Sequence, residues 1–325
     1  MKLVGLFCGG YSSEFEISLK SAQTIMDNFP NGYEVVPIHV VETGWFVPQG
    51  PEKLPFSIET MSYSTNGAVR KIDIGLIYIH GNPGENGKIQ ALLDMKGVPY
   101  VNSNALASEL SFDKWYCNQF LSRFGIPVAK SLFMKSRNAY TADHILNELG
   151  LPCFVKPSDS GSSFGISKVS KAEDLQNALD KAFEEGDTVV IESFLKGTEV
   201  TCGIYRSPNG LVTLPLTEIV TENDFFDYEA KYLGQSQEIT PARIPDSIRN
   251  KVWEVSKEVY SLLQLKSIAR IDFMLVDDIP HVIEVNTTPG FSGASLVPQM
   301  LGVHGKSIRD FWTEIFEVEL ASNRR

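Results

Sequence analysis

Asp272, Glu284 and Asn286 offer three side-chain oxygen donors near the C-terminal end of this sequence. In a strand, residues two apart share a face, so Glu284 and Asn286 point one way, and Arg270 and Asp272 share a face of the strand before. A hairpin turn centred near Asp278 sets Asp272 across from Glu284. The neighbours Ile271, Phe273, Ile283 and Val285 form the apolar face and leave the acids together. Two carboxylates so placed repel one another unless a hard cation joins them, and magnesium takes oxygen ligands while keeping positions open for phosphate. A hairpin with one solvated acidic face is the competing reading. The loop that follows, Thr287-Thr288-Pro289-Gly290, brings backbone N–H groups beside the same spot.

A second set of residues suits phosphate. Lys156 leads into Pro157-Ser158-Asp159-Ser160-Gly161-Ser162-Ser163-Phe164-Gly165, a loop whose small residues let backbone N–H groups approach phosphate oxygens while the lysine adds charge. It is not a Walker A loop, which needs G-x-x-x-x-G-K-[ST] and a helix directly after it. A flexible Ser/Gly connector is the alternative, but Lys156 beside Phe154 and Val155 needs an anionic partner. Lys114 follows Ser111-Phe112-Asp113 at a helix start, where the helix dipole disfavours a cation. It is either held there for a ligand or an ordinary solvated lysine. Glu192 ends a strand and Glu199 lies beyond Gly197, a crossover suited to a nucleotide base and ribose.

Positioning these residues takes several units. Residues 2–7, 33–40, 72–80 and 98–101 read as strands, with helices between them at residues 17–26 and 89–96, the latter stopped by Gly97. Such alternation predicts a parallel, Rossmann-like sheet with ligand loops at the carboxyl ends of its strands, where Gly9-Gly10 and His80-Gly81 fall. The expected α/β (α+β) architecture has three domains: 1–102, 103–194 and 195–325. In the second, strands at 131–134, 153–156, 166–169 and 188–193 accompany helices around 105–123 and 172–184. In the third, strands at 199–205 and 211–216 precede a polar, aromatic stretch at about 221–239 with no clear period, which suits a lid. A helix at 247–263 and the hairpin of 268–276 with 281–285 complete it.

Bulk composition excludes several classes. A chain of 325 residues exceeds one ordinary core. Net charge of −11 with no basic tract is the wrong sign for nucleic acid. The longest apolar runs are strand-sized, so neither a membrane span nor a signal peptide is expected, and the location expected is cytoplasmic. Cys8, Cys117, Cys153 and Cys202 are scattered, which predicts reduced, buried thiols and neither a disulfide framework nor a zinc site.

Seven segments in order, GGYSSEFEIS (9–18), HGNPGENG (80–87), SFDK (111–114), VKPSDSGSSFG (155–165), DYEAKY (227–232), RIDF (270–273) and EVNTTPGFSGASL (284–296), resemble the ATP-grasp superfamily and, within it, the D-alanine–D-alanine ligase family. The likeness runs over nearly the whole chain. It implies an acyl phosphate formed from one D-alanine and ATP, then attack by the amine of a second D-alanine, for peptidoglycan precursors. It also implies that Lys114, Lys156 and Lys231 manage phosphate charge, with two magnesium ions, replaceable by manganese, on Asp272, Glu284 and Asn286. By the same resemblance Arg270 and the Gly290 N–H form the oxyanion site, and Glu16 holds the first substrate's ammonium near His80. Ser295 and Leu296 match the second substrate's carboxylate pocket, Ser162 and Tyr232 the pair tying the lid to Glu16, and Ser163 the phosphate loop. Glu192, Leu195 and Glu199 match the adenine and ribose contacts, and a homodimer is implied. Two positions depart from the pattern: Ser193, where lysine is common, and Ser158-Asp159-Ser160, where relatives carry a basic-acidic pair.

Three rivals bound this reading. D-Lactate or D-serine as second substrate is the nearest, and Lys231-Tyr232 argues for D-alanine. A biotin-carboxylase-like enzyme would share the phosphate and metal residues but not GGYSSEFEIS or Ser295-Leu296. A non-catalytic nucleotide-binding module predicts degraded metal ligands, and all three are present.

Overall fold

The first strand, β1 (Lys2–Gly9), is buried along almost its whole length, as a parallel strand covered on both faces must be. Gly9 and Gly10 break it at φ +94° and +107°, and a side chain at Gly10 would run into Ile79 and the carbonyl of Asn82. Helix α1 (Phe15–Asp27) follows and buries Ser18, Ser21, Ala22 and Ile25. The computed structural model describes residues 1–161, 164–221 and 236–322.

Next come β2 (Tyr33–Val41), β3 (Gly44–Gln49), β4 (Glu52–Ser57), β5 (Ser62–Thr65), β6 (Ala68–Lys71) and β7 (Ile74–Ile77). The seven strands form one sheet in the order β6-β5-β4-β3-β2-β1-β7. Only β2, β1 and β7 pair in parallel; β3 to β6 extend the sheet as an antiparallel meander. The purely parallel sheet expected from the sequence is therefore half of a mixed one. The strand expected at 98–101 reduces to a single parallel bridge between Gly75 and Tyr100.

Helices α2 (Lys88–Lys96), α3 (Ala105–Phe112) and α4 (Lys114–Ser122) lead to β8 (Ser131–Met134), α5 (Ala142–Leu149), β9 (Cys153–Pro157), β10 (Ser167–Val169), α6 (Leu175–Glu185) and β11 (Val189–Ser193). Strands β10-β9-β11-β8 form the second sheet. The buried apolar residues of α3 and α4 (Ala107, Cys117, Leu121) join Val200, Val282 and Val285 of the third sheet, while Trp115 of α4 stacks on Phe133 of β8 in the second.

That third sheet comprises β12 (Thr198–Ser207), β13 (Gly210–Thr213), β14 (Thr217–Thr221), β15 (Ser236–Ile239), then, after helix α7 (Asp246–Leu262), β16 (Ile268–Val276) and β17 (Ile279–Asn286). Its path is β15-β14-β12-β16-β17, with β13 beside β12. Of the lid expected at about 221–239, the last four residues form β15, while 222–235, with Lys231 and Tyr232, lie outside the described residues, as do Ser162 and Ser163. Helices α8 (Leu296–His304) and α9 (Ile308–Ser322) return to the first sheet, where Trp312, Phe316 and Met300 share one core with Leu6, Ile25 and Tyr78. The four cysteines are free and buried. No helix among the described residues is long and apolar enough to cross a membrane.

Candidate functional site

The β16–β17 hairpin turns through Asp277 and Asp278, both in the left-handed region, as a two-residue hairpin loop requires. From that turn the register runs Val276↔Ile279, Leu275↔Pro280, Met274↔His281 and Phe273↔Val282. Continued unchanged, it would set Asp272 against Ile283. A β-bulge between Asp272 and Phe273 shifts it, so Asp272 pairs with Glu284, Ile271 with Val285 and Arg270 with Asn286. Phe273, Val282, Ile271 and Val285 are buried, whereas Ile283, expected on that apolar face, is half-buried and lines a cavity.

Arginine relieves the repulsion between the two acids. Arg270 donates to both Asp272 oxygens from Nε (2.8 Å) and Nη2 (2.7 Å) and lies 3.7 Å from Glu284. Thr201 Oγ1 also donates to Asp272, and Lys114 Nζ lies 3.9 Å from Glu284 Oε2. Arg270 and Lys114 thus neutralise part of the charge of the acidic cluster. The donor set suits magnesium: two carboxylates and the Asn286 amide, whose Nδ2 lies 3.3 Å from Asp272, with Asn286 lining one cavity, Asp272 a second and Glu284 both. Among the described residues no three His, Cys, Asp or Glu side chains gather at one point.

Helix α1 settles which acid faces the cavity. Positions 14, 18, 21 and 25 are buried, while 16, 20, 23 and 27 are exposed. Glu14 therefore lines the cavity, and Glu16, which the resemblance had placed at the substrate ammonium, points to solvent. Gly161 passes so close to Glu14 that a side chain there would strike its carboxylate. His80 is buried beside it, its Nε2 3.2 Å from Ser21 Oγ, and burial holds it below the usual imidazole range, hence neutral at pH 7. Glu85, absent from the sequence-based set, shares this wall. Burial, reinforced by Glu14, pushes its carboxyl up to about 8, and its Oε2 accepts the Gly81 N–H at 2.8 Å. The HGNPGENG segment was the signal that could have found it.

These groups converge on a cavity of about 410 Å³ lined by Glu14, His80, Glu85, Lys114, Arg270, Glu284, Asn286, Gly290, Ser295 and Leu296. Ser295 precedes α8 and receives the Ser292 N–H at 3.0 Å. A smaller cavity of about 110 Å³ shares Lys114, Ile166 and Glu284 with it and is lined by Phe154, Lys156, Glu192, Leu195, Glu199, Asp272, Met274 and Ile283. The anionic partner that Lys156 needs is Glu192, at 2.7 Å, with Asn118 Nδ2 3.4 Å from the other carboxylate oxygen. The apolar walls of the small cavity fit a planar base, and the cations at its junction with the large one fit phosphates.

The chain matches the family models described as D-ala D-ala ligase N-terminus over residues 3–103 and D-ala D-ala ligase C-terminus over residues 120–317. It is 42% identical to a D-alanine–D-alanine ligase of Phocaeicola vulgatus, across 97% of this chain and 98% of that one. It is 41% identical to the Parabacteroides distasonis ligase, across 99% of both. Among solved structures, it resembles D-alanyl-alanine synthetase A from Vibrio cholerae (TM-score 0.87, 28% identity, 98% of each chain). It also resembles the VanG D-Ala:D-Ser ligase from Enterococcus faecalis (TM-score 0.86, 28% identity, 98% of this chain and 99% of that one). A third likeness is the Bacillus anthracis D-alanine–D-alanine ligase complexed with ATP (TM-score 0.80, 28% identity, 100% of this chain and 99% of that one).

Proposed function

Since the chain belongs to the D-alanine–D-alanine ligase family, we propose that it joins two D-alanine molecules into D-alanyl-D-alanine, converting ATP to ADP and phosphate. The observation that carries this reading is one large cavity gathering an acid for an ammonium, cations for phosphates and an arginine for a carboxyl group, joined to a small apolar cavity.

The roles follow from the chemistry of each wall. Adenine enters the small cavity between Phe154, Met274 and Ile283, with Glu192, Leu195 and Glu199 at its edge. Lys156 and Lys114 lie where the polyphosphate passes between the cavities, Ser162, Ser163 and Lys231 being assigned beside them by family likeness alone. Asp272, Glu284 and Asn286 would hold magnesium, which would supply positive charge beside the phosphates during transfer. Glu14, in the place first assigned to Glu16, receives the ammonium of the first D-alanine near His80. The carboxylate of that D-alanine attacks the γ-phosphorus, ADP leaves, and D-alanyl phosphate forms. Arg270 and the Gly290 N–H face the oxygen that turns negative when the second amine attacks the acyl carbon. Ser295 and Leu296, at the start of α8, hold the second substrate's carboxylate. By family likeness alone, Ser162 and Tyr232 are assigned to tie the lid to the acid at the ammonium, first taken as Glu16.

The likeness to a D-Ala:D-Ser ligase keeps D-serine, and with it D-lactate, as rival second substrates. The relatives at about 40% identity named for D-alanine favour the dipeptide. The reading carries with it a cytoplasmic homodimer that supplies a peptidoglycan precursor. The proposed domain limits are 1–102, 103–194 and 195–325, each holding one of the three sheets, with α3 and the apolar residues of α4 contributing to the core of the third. The test is ADP release with D-alanine, ATP and magnesium, followed by product mass when D-lactate or D-serine is added. Release with D-alanine and none with L-alanine is expected. No stimulation by D-alanine refutes the function.

A further inference from the structure

The peptide that carries the Gly290 N–H is held from behind. The Tyr78 hydroxyl, at the end of the strand β7 segment, donates to Pro289 O at 2.9 Å, and that carbonyl belongs to the same peptide plane as the Gly290 N–H. The cis peptides among the described residues are Asn82-Pro83, Leu151-Pro152 and Thr240-Pro241, so the Pro289-Gly290 bond is trans and its C=O and N–H point in opposite directions. A donor on the carbonyl side turns the N–H the other way, and Gly290 lines the large cavity. Among the described residues the Gly290 N–H has no partner of its own.

Two further anchors from the first sheet flank this one. Ser21 Oγ accepts the Phe291 N–H at 3.1 Å, and the His80 ring meets the backbone of Thr288. They hold the loop, but neither touches the Pro289-Gly290 peptide. Tyr78 alone of the three does, and its ring is fully buried, edge-on to His80, Phe291 and Trp312 at centroid distances of 6.0, 5.8 and 5.9 Å. That packing fixes the ring independently of its hydroxyl. Burial holds the phenol far above its ordinary range, so it remains a donor at any working pH.

We propose that Tyr78 is a positioning residue for acyl transfer, whose hydroxyl aims and polarises the Gly290 N–H toward the developing oxyanion. A hydrogen bond accepted by a peptide carbonyl draws density from its N–H and makes that N–H the stronger donor. In the step served, the second substrate's amine forms the C–N bond and the acyl carbonyl oxygen takes the electron pair; that pair then re-forms the C=O, the C–O bond to phosphate breaks, and the nitrogen's proton leaves with the departing phosphate. The proposal rests on the reading of Gly290 as an oxyanion donor given above.

Tyr78→Phe removes one hydroxyl and keeps the ring. Loss of a direct oxyanion donor lowers kcat by roughly 100- to 1000-fold. Here the donor stays and loses its aim, so a fall of about tenfold is expected. A phosphinate analogue of the tetrahedral intermediate should lose affinity by the same factor, with KM for ATP and D-alanine affinity at the first site unchanged within about twofold. Unaltered kcat and phosphinate affinity overturns the proposal, as does an equal weakening of phosphinate, D-alanine and ATP, which would mark a general loosening. If Tyr78→Phe does not fold, 3-fluorotyrosine at this position supplies a stronger donor of nearly the same shape. Tighter phosphinate binding is then expected, and unchanged or weaker binding overturns the idea. A wild-type enzyme that neither binds the phosphinate nor releases ADP with D-alanine refutes the ligase reading instead.

Discussion

Lys156→Met tests the junction of the two cavities. Lys156 and Glu192 are diagonal neighbours across β9 and β11, since Lys156 pairs with Val190 and Glu192 with Phe154. Their charges meet at 2.7 Å with side chains 10% and 7% exposed. Methionine keeps the length and leaves Glu192 facing Asn118 alone, at 3.4 Å. Removing one partner of a buried pair costs about 3–5 kcal/mol. The adjoining cavity of about 110 Å³ has room for water, which shares ~30 Å³ per molecule in the liquid, so hydration offsets part of that loss. A destabilisation of about 3 kcal/mol is therefore expected. Lys156→Met/Glu192→Leu should recover most of it, because replacing a whole buried pair with apolar groups is close to neutral. Urea unfolding of the wild type, both single variants and the double variant gives the cycle, and calorimetry gives ATP affinity, which should fall wherever Lys156 is absent. A loss below about 1 kcal/mol for Lys156→Met, or a double variant no more stable than that single one, refutes the reasoning.

Glu14→Gln should lower kcat/KM for D-alanine at least ~100-fold, as expected for a lost charge-assisted contact, while Glu16→Gln stays within about twofold; the reverse order in an ADP-release assay would restore Glu16 to the site. Asp272→Asn should reduce ADP release by roughly 100-fold or more and weaken magnesium binding measured by calorimetry, and unchanged magnesium affinity would remove Asp272 from the metal set. Glu85 has a folded-state value near 8, above its ordinary 4.5, so the folded protein keeps a proton that the unfolded chain releases. Stability of the ligand-free protein should therefore fall as pH rises from about 4.5 to 8, and Glu85→Gln should flatten that slope; parallel urea midpoints for both proteins at pH 5, 6.5 and 8 would contradict this.

The hairpin was legible because β-branched residues and turn aspartates mark it strongly, and β16 and β17 form where the pattern put them. The bulge was not, since one extra residue leaves no compositional trace. Strands β3 to β6 escaped notice because Trp45, Phe46, Leu54 and Phe56 sit among prolines, lysines and glutamates that blur the alternation. The assignment of Glu16 over Glu14 came from motif matching, yet the helical stripe of Ser18, Ser21 and Ile25 already pointed back to position 14. Packing of α3 and α4 against the third sheet was beyond reach, because periodicity says which face is buried and not what covers it.

The irregularity between Asp272 and Phe273 has a consequence for change by insertion and deletion. A strictly alternating strand devotes neighbouring residues to opposite faces, so Ile283 and Glu284 could not both open toward the cleft. The extra residue lets them stand side by side, Ile283 lining the small cavity and Glu284 the junction of the two. Substitution at Ile283 can retune the base pocket while the ligands beyond it keep their places. Losing the Ile283 codon would leave Glu284 across from Asp272 and Asn286 across from Arg270 in an unbroken register, and would remove one wall of the small cavity.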